Sequence, residues 1–354
     1  MRITLFGERQ RQGSHGFSWP WPYNSRCSPH GEQKRDATTA RGNASGARVT
    51  DTPLPRQVTI VEVGPRDGLQ NEAAFVPTLE KIAFVNGLAN AGHTVIEVSA
   101  FVSPQWVPQM ADAAQVFAGI TRRPGVRYTA LVPNLHGLSR AREARVDEVA
   151  VFPAASETFS KRNINQTIDE AIANAKRVCD EARSAGLRVR AYLSTSFGCP
   201  FEGAVAPARV AEMTARLIDL GAYEVALSDT IGVAHPRQVS DVLCKVTRLV
   251  PASNLALHFH DTRGTALVNV YAGLEAGVAT FDASAGGLGG CPYAPGATGN
   301  LATEDLVYLL DGLGITTGTR LEAIAQASRA IEPHVGHALP SRVFRALQTT
   351  WGRE

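Results

Sequence analysis

From Val58 onward the chain alternates short apolar runs with longer amphipathic stretches. The runs are VTIVEV (58–63), TVIEVS (94–99), RYTALV (127–132), EVAVF (148–152), RVRAYLS (188–194), YEVALS (223–228), LALHFH (255–260) and ATFDAS (279–284). Each has the length and the Val/Ile/Leu content of a strand covered on both faces. The stretches between them carry helical spacing, most clearly in TIDEAIANAKRVCDEARSAG (167–186). There Thr167 and Glu170 form a T-x-x-E capping box, Ile168, Ala171, Ile172, Ala175 and Val178 make one apolar stripe, and Gly186 ends the helix. Gly92, Gly186, Gly221 and Gly277 close four such stretches just before the next strand.

Buried strands alternating with helices predict a parallel sheet. Eight units between residues 58 and 313 match the roughly 250 residues of a (β/α)8 TIM barrel. A doubly wound open sheet is the alternative, but it has fewer strands and no reason to stop at eight. Residues 318–351 then supply one or two additional C-terminal helices. The expected organisation is a barrel domain over 56–354 preceded by a disordered basic extension over 1–55.

That extension is rich in Gly, Ser, Arg, Pro and Asn and has no apolar period, which is the signature of disorder. It holds eight basic residues against four acidic ones, leaving the remainder close to neutral within a net charge of +2. The barrel therefore offers no electrostatic case for nucleic acid. The extension lacks the amphipathic helix of a transit peptide and the apolar core of a secretory signal, so mitochondrial targeting is not expected. It reads equally as a start assigned too far upstream, with Val49 a possible alternative start. No apolar run nears the roughly 18 residues of a membrane span. Cys27, Cys179, Cys199, Cys244 and Cys291 are odd in number and contain no C-x-x-C pair. Both facts point away from a disulfide framework and towards a reducing, cytoplasmic setting.

A barrel places its chemistry at the C-terminal ends of its strands, and the unusual polar residues fall there. Arg66 and Asp67 follow the first run, Glu97 lies near the end of the second, and Asp229 follows the sixth. Strand alternation puts His258 and His260 on the same side of the seventh. Asn300 closes a glycine-rich segment, SAGGLGGCPYAPGATGN (284–300), that carries Cys291. One carboxylate, two imidazoles and an amide oxygen form a mixed nitrogen and oxygen set suited to octahedral Mg²⁺ or Mn²⁺. Arg66 beside such a site brings a fixed cation to an oxygen that becomes negative during reaction. A structural salt bridge from Arg66 to Glu97 or Asp229 stays open beside that role, as does a helix-capping role for Asn300. The glycine-rich segment lacks the GK[ST] ending of a phosphate cradle.

VEVGPRDGLQNE (62–72), FVSPQWVPQM (101–110), FGCPFEG (197–203), SDTIG (228–232), HFHDTRGTALVN (258–269) and GGLGGCPYAPGATGNLATEDL closely resemble the hydroxymethylglutaryl-CoA lyase family. The resemblance runs from about Val58 to Gly318. RDG and HxH occur across a wider superfamily of condensing enzymes, whereas GLGGCPYA followed by GN is the discriminating piece. It implies metal-dependent cleavage of 3-hydroxy-3-methylglutaryl-CoA into acetyl-CoA and acetoacetate, with leucine degradation as the default pathway. It also implies Asp67, His258, His260 and Asn300 as ligands of Mg²⁺ or Mn²⁺, with no organic cofactor. Arg66 would stabilise the enolate and Cys291 would return its proton. A metal ligand, or Asp229 acting through His258, would take the hydroxyl proton. Glu97, Glu304 and Gln70 would support the site or the substrate, and the protein would be a homodimer acting on an acyl-CoA, without nucleic acid or membrane. Two departures stand out: Ala285-Gly286 where the family has Val-Ala, and Ala100 where many members have serine. The latter keeps a longer 3-alkyl substrate open, with an acetyl-CoA/2-oxo acid condensing enzyme as the further alternative.

Overall fold

All eight apolar runs are strands of one closed, parallel barrel in a computed structural model that describes residues 53–290 and 299–351. They are β1 (Thr59–Glu62), β2 (Val95–Ala100), β3 (Arg127–Leu131), β4 (Glu148–Val151), β5 (Arg188–Leu193), β6 (Glu224–Asp229), β7 (Leu255–Phe259) and β8 (Thr280–Ala283). The strands pair in chain order, and β8 closes the barrel on β1 from Thr59↔Thr280 to Glu62↔Ala283. The (β/α)8 expectation is met, and the open sheet is excluded by that closing ladder.

The ring of helices runs α1 (Thr78–Asn90), α2 (Ala113–Gly119), α3 (Leu135–Glu143), α4 (Glu157–Ile164), α5 (Ile168–Ser184), α6 (Pro207–Asp219), α7 (Pro236–Val246), α8 (Ala266–Glu275) and α9 (Thr303–Gly312). Two further helices follow, α10 (Leu321–Val335) and α11 (Arg342–Trp351). Helix α5 opens with the expected reciprocal capping box of Thr167 and Glu170, and its apolar stripe is buried. Gly92, Gly186, Gly221 and Gly277 all have positive φ, between 75° and 104°, a backbone that glycine adopts without strain. Each turns the chain from a helix into the next strand. None of the described helices is long and apolar enough to cross a membrane. Residues 1–52, the bulk of the expected extension, lie outside the described residues.

The main apolar core fills the layer between strands and helices, while Glu97, Arg190, His258 and Asp282 are buried charged or polar residues of the barrel interior. Glu62, at the end of β1, ties three segments together. Its carboxyl accepts from the amides of Gly64 (2.8 Å) and Ala285 (2.9 Å) and from the Thr303 hydroxyl (2.7 Å). Burial pushes its pKa up to about 8 despite those bonds, and pushes the adjacent His93 imidazole down to about 4. Burial likewise raises Glu304 to about 7.

These shifts set the sign of a pH effect. Glu62 and Glu304 bind more protons in the folded than in the unfolded chain up to their raised values, so their contribution to stability is lost as pH climbs towards them. His93 works in the opposite direction, but its contribution is complete above its ordinary value of 6.5. The melting temperature is therefore expected to fall between pH 6.5 and 8, and Glu62→Gln should flatten that slope. Calorimetry showing the same slope in parent and variant would remove Glu62 as its source.

Candidate active site

The turn after β1 is a π-helical turn, Gly64–Gly68, in which the Val63 carbonyl accepts from the amides of Arg66 (3.1 Å), Asp67 (2.8 Å) and Gly68 (3.1 Å). Such turns recur at functional sites because they re-aim consecutive side chains. A Cβ on Gly68 would stand 2.7 Å from the Ser284 hydroxyl, so glycine lets the turn seat against the end of β8. The turn delivers Arg66 and Asp67 together to the barrel mouth.

Arg66 Nε donates to Glu97 Oε2 at 2.6 Å, and Nη1 pairs with the Asp67 carboxylate. The Tyr192 hydroxyl donates to the same Glu97 oxygen at 3.1 Å, and the guanidinium lies 5.4 Å from the Tyr192 ring centre. Burial works against the charge of Arg66, but the neighbouring Asp67 and Glu97 carboxylates more than offset it and raise its pKa. Burial would also protonate Asp67, yet Arg66 and the two histidines keep its carboxyl well below the usual range. In Glu97 burial prevails and its pKa rises. The salt bridge from Arg66 goes to Glu97 and Asp67, and Asp229 takes no part in it.

Asp67, His258 and His260 each offer one ligand atom, and the three atoms lie within 4.8 Å of one another. Both imidazole Nε2 atoms stand 3.8 Å from Asp67 Oδ2. That is too far for a hydrogen bond. His260 lies one residue past β7 and pairs with Asn300 in a short antiparallel bridge. Asn300 Nδ2 donates to the Leu288 carbonyl at 3.1 Å, leaving its buried Oδ1 with no partner among the described residues. A buried, unpartnered amide oxygen in such a set is explained by a cation. Two imidazole nitrogens, a carboxylate and this oxygen fit a divalent metal. The helix-capping alternative for Asn300 is set aside, because α9 begins at Thr303 with no side-chain cap.

One expected role changes. Asp229, the last residue of β6, accepts from the amides of Val233 (2.9 Å) and Ala234 (3.0 Å) and so anchors its own loop. The carboxylate on His258 is instead Asp282, whose Oδ2 lies 3.2 Å from His258 Nδ1. Glu304 is fully buried, and it accepts from the Gly286 amide (2.8 Å) and the Ser328 hydroxyl (2.5 Å). It holds the start of the glycine-rich segment against α10.

A cavity of about 490 Å³ opens over these groups, within the size range of ligand sites. Arg66, Asp67, Gln70, Tyr192, His258 and His260 form its polar wall, and Leu131, Phe152 and Phe159 its apolar one. Trp106 and Arg162 stand along its rim. Gly290 also lines it, tied by its carbonyl to Asn71 Nδ2 at 3.0 Å. Cys291 lies outside the described residues. Tyr192, Arg190 and Asp282 were not singled out in the sequence. The signal available for them was only that charged and phenolic residues interrupt runs otherwise fit for burial.

The fold is a TIM barrel, and at its mouth lies a group of side chains able to hold a metal ion. The HMGL-like family profile matches residues 57–331, and the chain belongs to that family. It is 51% identical over 293 residues to the mitochondrial hydroxymethylglutaryl-CoA lyase of Bos taurus, covering 83% of this chain and 90% of the relative. The structure of hydroxymethylglutaryl-CoA lyase from Pseudomonas aeruginosa superimposes with a TM-score of 0.83 at 51% identity, covering 84% of this chain and 99% of that one. An HMG-CoA lyase from Acinetobacter baumannii, solved with coenzyme A and 3-methylmalate, gives a TM-score of 0.79 at 40% identity over 83% of this chain and 96% of that one.

Proposed function

We propose that the protein cleaves 3-hydroxy-3-methylglutaryl-CoA to acetyl-CoA and acetoacetate with Mg²⁺ or Mn²⁺ held by Asp67, His258, His260 and Asn300. The observation that carries this is the Asp67, His258 and His260 set beside a charged, buried Arg66 on one wall of the cavity. Identity near 50% to hydroxymethylglutaryl-CoA lyases, one of them named also for a 3-isohexenyl analogue, supports this substrate over those of a condensing enzyme. A homodimer in a bacterial cytoplasm belongs to the same proposal.

A cation held by these residues would supply Lewis acidity to the tertiary hydroxyl of the substrate. Once that hydroxyl loses its proton, the C2–C3 bond breaks, C3 becomes the ketone of acetoacetate, and the electron pair passes to the acetyl thioester as its enolate. Arg66 faces the developing oxyanion, fixed in place by Glu97 and Asp67, so the stabilising charge needs no reorganisation during the step. Cys291 then protonates the enolate at carbon, releasing acetyl-CoA. The proton taken from the hydroxyl balances the one given to carbon. Asp229 is committed to backbone amides, so the hydroxyl proton goes to Asp67 or His260, which line the cavity.

Incubation with 3-hydroxy-3-methylglutaryl-CoA and Mg²⁺ should yield acetyl-CoA and acetoacetate in equal amounts. An inert thioester, together with condensation of acetyl-CoA onto a 2-oxo acid, would reverse the reading.

A further inference from the structure

We infer that Asp282, clamped by Arg190, is a positioning residue that fixes which nitrogen of His258 faces the cation. The inference rests on the cation reading above and extends it to residues that touch neither substrate nor metal. His258 and Asp282 are register partners across β7 and β8, and Arg190 and Glu224 are partners across β5 and β6. All four are buried, and Arg190 reaches across the barrel interior to join the two pairs. Its Nη2 donates to Asp282 Oδ1 at 2.7 Å and its Nη1 to Oδ2 at 3.1 Å, while its Nε donates to Glu224 at 2.7 Å.

The clamp settles the tautomer. Arginine keeps its proton, and its planar fork holds both oxygens of the Asp282 carboxylate. An ionised carboxylate only accepts, so the 3.2 Å contact requires His258 to carry its hydrogen on Nδ1. Nε2 is then left with its lone pair towards Asp67, as a metal ligand must be. Tyr192 stands edge-on to the His258 ring at 5.9 Å and 83°, which limits its rotation. His260 makes a useful contrast. Its Nδ1 is buried with no partner among the described residues, so only one of the two imidazoles is oriented in this way.

Asp282→Asn keeps the shape of the side chain, but its single carbonyl oxygen cannot serve both the Arg190 fork and His258. Outer-sphere partners of this kind typically govern a 10–100-fold range of metal affinity. The test pairs two measurements on the full chain. Long-range ¹H–¹⁵N spectra of the histidine-labelled parent without added metal, with His258 assigned from His258→Gln, should show the Nδ1–H tautomer. Mn²⁺ titration followed by electron paramagnetic resonance should show Asp282→Asn binding about 10–100-fold more weakly than the parent. An Nε2–H tautomer overturns the inference even where the variant fails to fold, and so does Mn²⁺ affinity within twofold of the parent in a folded variant. A parent that takes up no Mn²⁺ overturns the cation reading, and this inference with it.

Discussion

Arg66→Gln is expected to lower kcat about a hundred- to a thousandfold without weakening Mn²⁺ binding. The size follows from removing one preorganised charge aimed at a developing oxyanion, which typically costs about 3–4 kcal/mol of barrier. The sign on the metal follows from electrostatics. Arg66 pairs with Asp67, one of the proposed ligands, so losing the guanidinium removes a competing positive charge from the donor set. A general disruption of the site would instead lower turnover and metal affinity together. Glu97 loses its ion-pair partner in this variant but keeps the Tyr192 hydroxyl, so some loss of thermal stability accompanies the kinetic effect. Turnover within tenfold of the parent would remove Arg66 from the reaction.

Cys291→Ala should lose about 10²–10⁴-fold in kcat with Mn²⁺ affinity unchanged, the usual range for removing a general acid. The segment leading to it is held at three points. Glu62 accepts from the Ala285 amide, Glu304 from the Gly286 amide, and Asn71 donates to the Gly290 carbonyl. With Gly290 on the cavity wall, the cysteine is the next residue along the chain. Cleavage run in D₂O separates this role from binding, because the methyl group of acetyl-CoA should gain one solvent deuteron in the parent. Parent-like rates in Cys291→Ala would mean that another group, or water, protonates the enolate.

The barrel was legible because its strands are buried on both faces and so read as short Val/Ile/Leu-rich runs, separated by helices, four of which end on glycines. His258 and His260 were legible as a pair because strand alternation alone aligns them, and Arg66 and Asp67 because they stand at a strand end. What periodicity could not convey is which buried polar residues meet across the barrel. Arg190 and Asp282 are 92 positions apart, and only closure of the sheet brings β5 and β8 within reach of one guanidinium. The same limit hid the role of Asp229. A carboxylate near a strand end has the same sequence signature whether it faces a ligand or accepts from backbone amides. At Asp229 the amides win, because a loop buried at the barrel mouth must satisfy its own N–H groups.

The central claim is that the cation held by Asp67, His258, His260 and Asn300 is required for cleavage. It is tested most directly by stripping the protein with a chelator and measuring acetoacetate formation before and after Mg²⁺ or Mn²⁺ is returned. The parent should fall silent and recover, while Asp67→Ala should stay silent at metal concentrations that saturate the parent. A stripped, metal-free protein that cleaves at the parent rate would contradict the account.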